Sequence, residues 1–152
     1  MENTILPLTL IDDKQKKHRL SKTKLQMKAQ VILSALGSPE GELSILVVDD
    51  SEIKTLNKKY LNRSGPTNVI AFPMKEGEFS DINPQLLGDI VISIETTERE
   101  AMQSGISTDE RFAQLLVHGI LHLFGFDHEK SEQDARKMEK KGNELLSLVE
   151  SY

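Results

Sequence analysis

The chain has 152 residues, of which 38% are hydrophobic and 28% charged, and its formal net charge is −5. This length predicts a single domain over residues 1–152, with a core thinner than average. The absence of cysteine excludes disulfide bonds and thiolate metal sites and favours the cytoplasm. No apolar run approaches the roughly 20 residues of a membrane span, and the N-terminal residues do not resemble a secretory signal. We therefore expect a cytoplasmic protein without a membrane partner.

The pattern of apolar residues predicts alternating strands and helices in the first half of the chain. Alternation predicts a strand over residues 4–12, and helical spacing predicts a helix over residues 21–36, with Ser21 as its N-cap and Gly37 at its end. A compact apolar strand over residues 43–49 follows. The next helix carries Ile53, Leu56, Tyr60 and Leu61 and is expected to be capped by Asp50 or Ser51.

Helices dominate the second half of the predicted fold. A short strand over residues 67–73 ends at Pro73, and a loop rich in turn-forming residues follows over residues 75–85. This loop either shapes a site or is a simple connection. A strand over residues 86–95 and three helices complete the pattern, the helices covering residues 95–104, 109–124 and 131–149. The fold class is therefore α+β (mixed α/β), with about four strands.

Basic residues are concentrated in two segments that contain no acid. Residues 14–28 contain Lys14, Lys16, Lys17, Arg19, Lys22, Lys24 and Lys28. Residues 53–75 contain Lys54, Lys58, Lys59, Arg63 and Lys75. Such segments are usually solvated helix surface, but residues 14–28 and 53–63 are also suited to contacts with an RNA backbone. Because only 5% of the residues are aromatic, we expect recognition of shape and backbone rather than extensive base stacking.

Three of the four histidines lie in one segment, HGILHLFGFDH, from His118 to His128. His118 and His122 are four residues apart, so they share one face of the predicted helix. Gly125 suits a left-handed helix end, after which the chain turns back and supplies His128. Three neutral imidazoles predict a metal centre that favours zinc over nickel, cobalt or iron and keeps a fourth position open. His18, in a charged stretch, is interpreted as a surface residue.

The spacing H-x-x-x-H-x-x-G-x-x-H resembles the ligand skeleton of the metzincin zinc proteases. Those proteases carry a glutamate directly after the first histidine as general base, whereas this chain has Gly119. The missing carboxylate argues against peptide hydrolysis, so another residue, the metal hydroxide itself or the substrate must do the work of the base. Asp127, next to His128, is a candidate for orienting a ligand, for capping the turn or for acting as a weak base, and we favour the first two roles.

HGILHLFGFDH also resembles the signature H-G-x-L-H-L-x-G-x-D-H of the YbeY family of bacterial endoribonucleases, with every fixed position present. LNKKYLNRSGPTNVIAFP and LLGDIVISIE are similar to two further blocks of that family, so the resemblance spans about residues 45–130. Asn68 stands where the family usually has Asp, and Ile70 and Ala71 stand where it usually has Leu-Ser. Two extra residues separate Tyr60 from Arg63, compared with the tightest form of the motif.

The resemblance implies a zinc-dependent endoribonuclease that cleaves single-stranded RNA during rRNA maturation, notably at the 3′ end of 16S rRNA, and in ribosome quality control. The implied partner is the ribosome or a precursor of its small subunit. The implied fold has a mostly parallel, four-stranded sheet with helices packed around it and a zincin-like metal helix. His118, His122 and His128 would hold the metal, while Arg63 would contact the phosphate as a catalytic residue together with His118. Either an activated water or the 2′-hydroxyl of the RNA would attack the phosphodiester.

Two alternatives from other classes stay open. One is a metal-dependent hydrolase that acts on another substrate, including peptides. The other is a ribosome assembly factor without nuclease activity, whose metal is structural. The predicted open coordination position argues against a structural metal, because structural zinc sites usually close all four positions with protein ligands.

Overall fold

The computed structural model describes residues 9–74 and 85–150, which form four strands and five helices. In chain order they are β1 (Thr9–Asp13), α1 (Lys22–Ala35), β2 (Glu42–Val48), α2 (Asp50–Leu61), β3 (Val69–Pro73), β4 (Leu86–Ser93), α3 (Ile94–Ser104), α4 (Thr108–Leu123) and α5 (Glu132–Val149). The predicted mixture of strands and helices is confirmed. Most of the predicted strand over residues 4–12 and of the loop over residues 75–85 lies outside the described residues.

The strands form one sheet in the order β1-β2-β4-β3. β1 pairs in parallel with β2, and β2 in parallel with β4, whereas β3 pairs antiparallel with β4 at the edge. The sheet is therefore mostly parallel, as expected. Parallel neighbours require crossover connections, and α1 lies between β1 and β2 in the sequence, as in a βαβ unit.

The main core lies between one face of the sheet and the helices α1, α4 and α5. Ile90 and Ile92 of β4 point into this core, while Val91 between them packs with Ile53 of α2 on the opposite face. Successive side chains of a strand point to opposite faces, so the apolar run in β4 fits a strand covered on both sides. α4 has nine buried residues, which makes it the helix whose position the core fixes most firmly.

The surface helices bury only one face each. α5 buries Met138, Leu145 and Val149 and leaves most of its charged residues exposed. This distribution is typical of an amphipathic helix that packs on a core. Within residues 9–74 and 85–150, we find no helix with the length and hydropathy needed to cross a membrane.

Several predicted element boundaries differ from the structure by one or two residues, and capping explains two of them. The second helix begins at Asp50, and its N-cap is Asp49, whose carboxylate accepts a hydrogen bond from the Glu52 amide at 2.9 Å. β4 ends at Ser93 rather than residue 95, because the Ser93 side chain caps α3 by accepting a hydrogen bond from the Thr96 amide at 3.3 Å. Side-chain caps satisfy the free amides of a first helical turn, so they determine where a helix begins.

Candidate metal centre

α4 brings His118 and His122 to one face near its C-terminal end. The side chains are one helical turn apart, and their Nε2 atoms lie 3.0 Å from each other. Both residues are partly buried. The adjoining residues Val117, Gly119, Ile120 and Leu121 are buried in the core, so the backbone that carries the two imidazoles is held against the sheet.

Gly119 lets α4 approach the sheet closely. A Cβ atom at this position would lie 3.0 Å from Ile90 Cγ2 and 3.3 Å from Val69 Cγ2, distances tighter than ordinary carbon–carbon contacts. The sequence had indicated only that Gly119 lacks a carboxylate. The structure adds that a side chain here would have to displace residues of β3 and β4.

A glycine turn after α4 returns His128 to the other two histidines. Gly125 has φ +91°, the left-handed conformation that glycine adopts without strain. The amides of Gly125 and Phe126 donate hydrogen bonds to the His122 and Leu121 carbonyls at 3.0 Å each. Asp127 closes the next turn by accepting a hydrogen bond from the Glu129 amide at 2.8 Å, in agreement with its predicted structural role.

The three histidines form a group that could hold a metal ion. One ring nitrogen of each histidine lies within 4.8 Å of a ring nitrogen of the other two. The ring centroid of His118 is 4.5 Å from the ring centroid of His122 and 5.3 Å from that of His128. A tetrahedral zinc ion with Zn–N bonds of about 2.0–2.1 Å separates its nitrogen ligands by about 3.3 Å. The spacing therefore fits a small transition-metal ion after minor side-chain rotation. His18 lies apart from this group, next to Glu98 and Asp109.

The electrostatic environment keeps two of the imidazoles neutral. Burial, together with His122, His128 and Arg111 nearby, lowers the pKa of His118 to about 4. Burial and His128 also lower the pKa of His122, although a hydrogen bond to the Phe126 backbone acts in the opposite direction. The neutral imidazole is the form that binds metals. A hydrogen bond from the second ring nitrogen to the backbone is the usual way in which a histidine ligand is oriented.

Arg63 lines the same cavity as the three histidines. This cavity, which we call the Arg63 cavity, has a volume of about 620 Å³ and also includes Val69 and Asp127 in its lining. Arg63 is exposed. Within the described residues, its side chain has no ion-pair partner. The residue follows the left-handed Asn62 that ends α2, so the loop after α2 brings a free guanidinium to the cavity.

A polar network beside the histidines was not predicted. Glu100 of α3 accepts hydrogen bonds from Asn68 Nδ2 at 3.2 Å and from Arg111 Nε at 3.0 Å. Arg111 Nη1 in turn donates to Gln114 Oε1 at 2.7 Å. Arg111 and Gln114 precede His118 by seven and four residues, so helical spacing alone could have placed them on the histidine face of α4. The hydrogen bonds that connect Arg111 to Asn68 through Glu100 join residues that are too far apart in sequence for a local pattern to reveal.

The fold and the site define a mixed α/β protein with a three-histidine candidate metal centre at the end of a buried helix. A model of the family described as Endoribonuclease YbeY matches residues 10–150. An Endoribonuclease YbeY from Geobacter sulfurreducens is 46% identical over 142 residues, which cover 93% of this chain and 95% of that relative. One from Aquifex aeolicus is 45% identical over 136 residues, which cover 90% of this chain and 89% of that relative. The chain belongs to the YbeY endoribonuclease family.

A solved structure agrees with this assignment at the level of the fold. A solution structure of a protein from Thermotoga maritima superposes with a TM-score of 0.61 at 25% sequence identity, covering 93% of this chain and 88% of that protein. The family and the mixed α/β fold expected from the sequence are therefore both confirmed. The roles assigned to Arg63, His118, His122 and His128 stay predictions.

Proposed function

We propose that the protein is a zinc-dependent endoribonuclease that cleaves single-stranded RNA in the cytoplasm. The observation that carries this proposal is the convergence of His118, His122 and His128 on one point of a cavity that Arg63 also lines. We further propose that its substrate is ribosomal RNA, at the 3′ end of 16S rRNA, with the ribosome or a small-subunit precursor as partner. The RNA substrate agrees with the names of the relatives, which are endoribonucleases, and the finer assignment follows from the resemblance described above.

The donor set fits zinc in its chemistry as well as its spacing. Imidazole nitrogens are good ligands for zinc, which is a borderline-soft ion. Calcium and magnesium are hard ions and prefer oxygen ligands. Zinc held by His118, His122 and His128 supplies a Lewis acid, which polarises phosphate oxygens and lowers the pKa of water. The chain itself contributes three imidazole rings, which are fixed by the α4 backbone and by the turn at Gly125.

Arg63 would bind the phosphate that is cleaved. An arginine presents a planar set of donors that matches two phosphate oxygens at once and keeps its positive charge at any working pH. Because Arg63 has no acidic partner within the described residues, its charge is free to stabilise the extra negative charge of the transition state. Gly119 offers no base, and Asp127 already accepts a hydrogen bond from the Glu129 amide. Water and the 2′-hydroxyl of the RNA both need a base to take their proton, so both remain candidates for the attacking group. The chemical ends of the product distinguish the two routes.

The first test measures metal content and RNA cleavage on the same protein samples. Wild type, His122→Ala and His18→Ala are compared by elemental analysis and with a single-stranded RNA that ends in the small-subunit rRNA 3′ sequence. We expect about one zinc per chain and cleavage for wild type and His18→Ala, and neither for His122→Ala. His18→Ala is the matched control, because it removes a histidine outside the group. Metal-loaded wild type that leaves this RNA intact would favour the assembly-factor alternative, and wild type without transition metal would refute the metal centre.

A further inference from the structure

A second cavity reaches the histidines from between α4 and α5. This α4–α5 cavity has a volume of about 550 Å³ and shares Asn68, His118 and His128 with the Arg63 cavity. The two cavities therefore meet at the candidate metal centre. Nothing in the function proposed above uses the α4–α5 cavity.

An endonuclease needs room on both sides of the bond that it cleaves. The RNA continues 5′ and 3′ of the scissile phosphate, so the nucleotides on either side must lie against the protein or in solvent. Arg63 and the exposed Lys130 are in the lining of one cavity, which suits the backbone phosphates. The α4–α5 cavity offers a place for the neighbouring nucleoside.

The charge of the α4–α5 cavity disfavours a phosphate. Its cation, Arg111, is bound to Glu100 through two nitrogens at 3.0 and 2.9 Å, so its charge is largely neutralised. The exposed Glu139 adds a negative charge to the lining. A neutral group of the substrate is therefore better accommodated than a second phosphate.

The walls of the cavity suit a flat, partly apolar ring. Leu121, Met138 and Leu146 provide apolar surface, and Gln114 and Asn143 provide amides. Nucleobases outside a helix are held in this way, with side chains against the ring faces and polar groups at the edge. The ligand chemistry that fits these walls is thus a nucleobase.

Gln114 has an orientation fixed by its neighbour. Arginine only donates hydrogen bonds, so the amide oxygen of Gln114 must face Arg111 Nη1, at 2.7 Å. The amide nitrogen then points away from Arg111, and no hydrogen-bond partner for it is found among residues 9–74 and 85–150. Two N–H donors are thereby left for a carbonyl or ring nitrogen of a base.

Gly142 keeps the cavity open. This residue lies within α5, where glycine is disfavoured, and it is part of the cavity lining. A Cβ atom at this position would lie 3.8 Å from Leu121 Cδ1 and 3.9 Å from Val117 Cγ1, ordinary contact distances. Alanine therefore fits without strain, whereas a longer side chain would occupy the cavity.

We infer that the α4–α5 cavity binds the nucleobase of the nucleotide adjacent to the scissile phosphate, with Gln114 contacting the edge of the base. This inference rests on the proposed function and deepens it, because it assigns a base-binding subsite to one side of the cleavage point. Gln114 is a specificity-determining residue in this assignment, whereas the histidines and Arg63 act on the phosphate.

The test combines cavity-filling variants with abasic substrates. Gly142→Leu fills the cavity, and Gly142→Ala is the matched control. The cleavage site of wild type is first mapped on a short single-stranded RNA, and an abasic ribose is then placed at each nucleotide flanking it. For wild type and Gly142→Ala, we expect one flanking position at which the abasic ribose lowers kcat/KM by about tenfold or more. For Gly142→Leu, we expect a similar loss on intact RNA and no further loss from the abasic ribose, with zinc content unchanged.

Gln114→Met gives a second measurement that does not depend on filling the cavity. It keeps the side-chain length and removes the amide, so the ranking of the four bases at the sensitive position should flatten. Unchanged cleavage of intact RNA by Gly142→Leu, or equal abasic effects in both Gly142 variants, would overturn the subsite while leaving the nuclease intact. Failure of zinc-loaded wild type to cleave any RNA would instead overturn the proposed function, and the subsite with it.

Discussion

The histidine group and the hydrogen-bonded network around Asp50 are two polar clusters of opposite kinds. The Asp50 carboxylate accepts hydrogen bonds from Ser93 Oγ and Thr96 Oγ1 at 2.6 Å each and from Arg99 Nη1 at 2.7 Å. The Nε2 atoms of His118 and His122 instead face each other at 3.0 Å, and no acid supports either ring directly within the described residues. A carboxylate that accepts three hydrogen bonds stabilises the fold, whereas ring nitrogens whose nearest partner is another imidazole are organised for a ligand.

The pKa values of the two clusters express the same contrast. Burial would raise the pKa of Asp50, but the hydrogen bonds from Ser93, Thr96 and Arg99 outweigh it and leave the pKa below its usual value. Burial instead lowers the pKa of His118, and the neighbouring imidazoles act in the same direction. The first environment favours the charged form of its residue and the second favours the neutral form. Substitutions in the two clusters should therefore affect different properties.

The largest expected effect is on catalysis, from the histidine group. His118→Ala should lower kcat/KM for RNA cleavage by at least about a thousandfold, because the proposed metal loses a ligand and the Lewis acid with it. The free energy of unfolding of the metal-free protein should change by about 1 kcal/mol or less, because no hydrogen bond of the core is lost. Steady-state kinetics and urea unfolding with a chelator measure the two effects. A nuclease that remains active without the zinc would contradict the prediction.

Arg63 should have a smaller effect that leaves the metal in place. Arg63→Lys keeps the charge but loses the two-point phosphate contact, so kcat/KM should fall by about 10- to 100-fold. Zinc content should stay at the wild-type level. Arg136→Lys, on the exposed surface of α5, is the control and should leave kcat/KM and zinc content unchanged. Equal kinetics for the two arginine variants would remove Arg63 from the mechanism.

Gly119 connects the histidine group to the sheet and should affect stability. In Gly119→Ala, the new Cβ atom would crowd Ile90 and Val69, and this overpacking should lower the free energy of unfolding by about 1–3 kcal/mol. Gly142→Ala, whose Cβ atom has ordinary contacts, should instead gain up to about 1 kcal/mol from helix propensity. Chemical denaturation of both variants measures the difference. An unchanged or higher free energy of unfolding for Gly119→Ala would show that α4 does not need its close approach to the sheet.

Asp50 should have the smallest effect, and the effect should depend on pH. Because its pKa is lowered on folding, the ionised carboxylate stabilises the protein fully above its unfolded pKa of about 3.9, and this contribution is lost as the pH falls through the folded value. Asp50→Asn should therefore cost about 1–2 kcal/mol at pH 7 and less at pH 3, with RNA cleavage at pH 7 unchanged.

The control for Asp50 is a carboxylate without such a network. Asp12→Asn, at an exposed position of β1, should change the free energy of unfolding little at either pH. Urea unfolding of wild type and of both variants at pH 7 and pH 3 measures the change in the free energy of unfolding for each variant at each pH. A loss for Asp50→Asn that is the same at both pH values would assign the stabilisation to packing rather than to charge.

Local sequence patterns were sufficient for the elements and for the histidine group. The residues that place His118, His122 and Gly125 lie within one helix and the turn that follows it, so the spacing of 3.6 residues per turn determines their geometry. Ser21 as the cap of α1 and the apolar run of β4 were predicted for the same reason. In each case the interaction joins residues a few positions apart.

Features that depend on distant pairing could not be obtained in this way. The antiparallel pairing of β3 with β4 and the bonds from Asn68 and Arg111 to Glu100 join separate elements. The choice between Asp49 and its neighbours as the cap of α2 was a local question, but several consecutive residues there are able to cap. The packing role of Gly119 was also hidden, since it depends on Ile90 and Val69 across the core.

The position of His122 in the last turn of α4 has an electrostatic consequence for the ion that we propose. The peptide dipoles of a helix sum to a partial negative charge of about half an electron at its C-terminal end. A cation at this end is attracted by the helix backbone in addition to its imidazole ligands. Because none of the proposed ligands is a carboxylate, the ligands do not reduce the positive charge that a divalent ion presents to RNA. Backbone dipoles would thus retain the ion while its formal charge remains available to the phosphate.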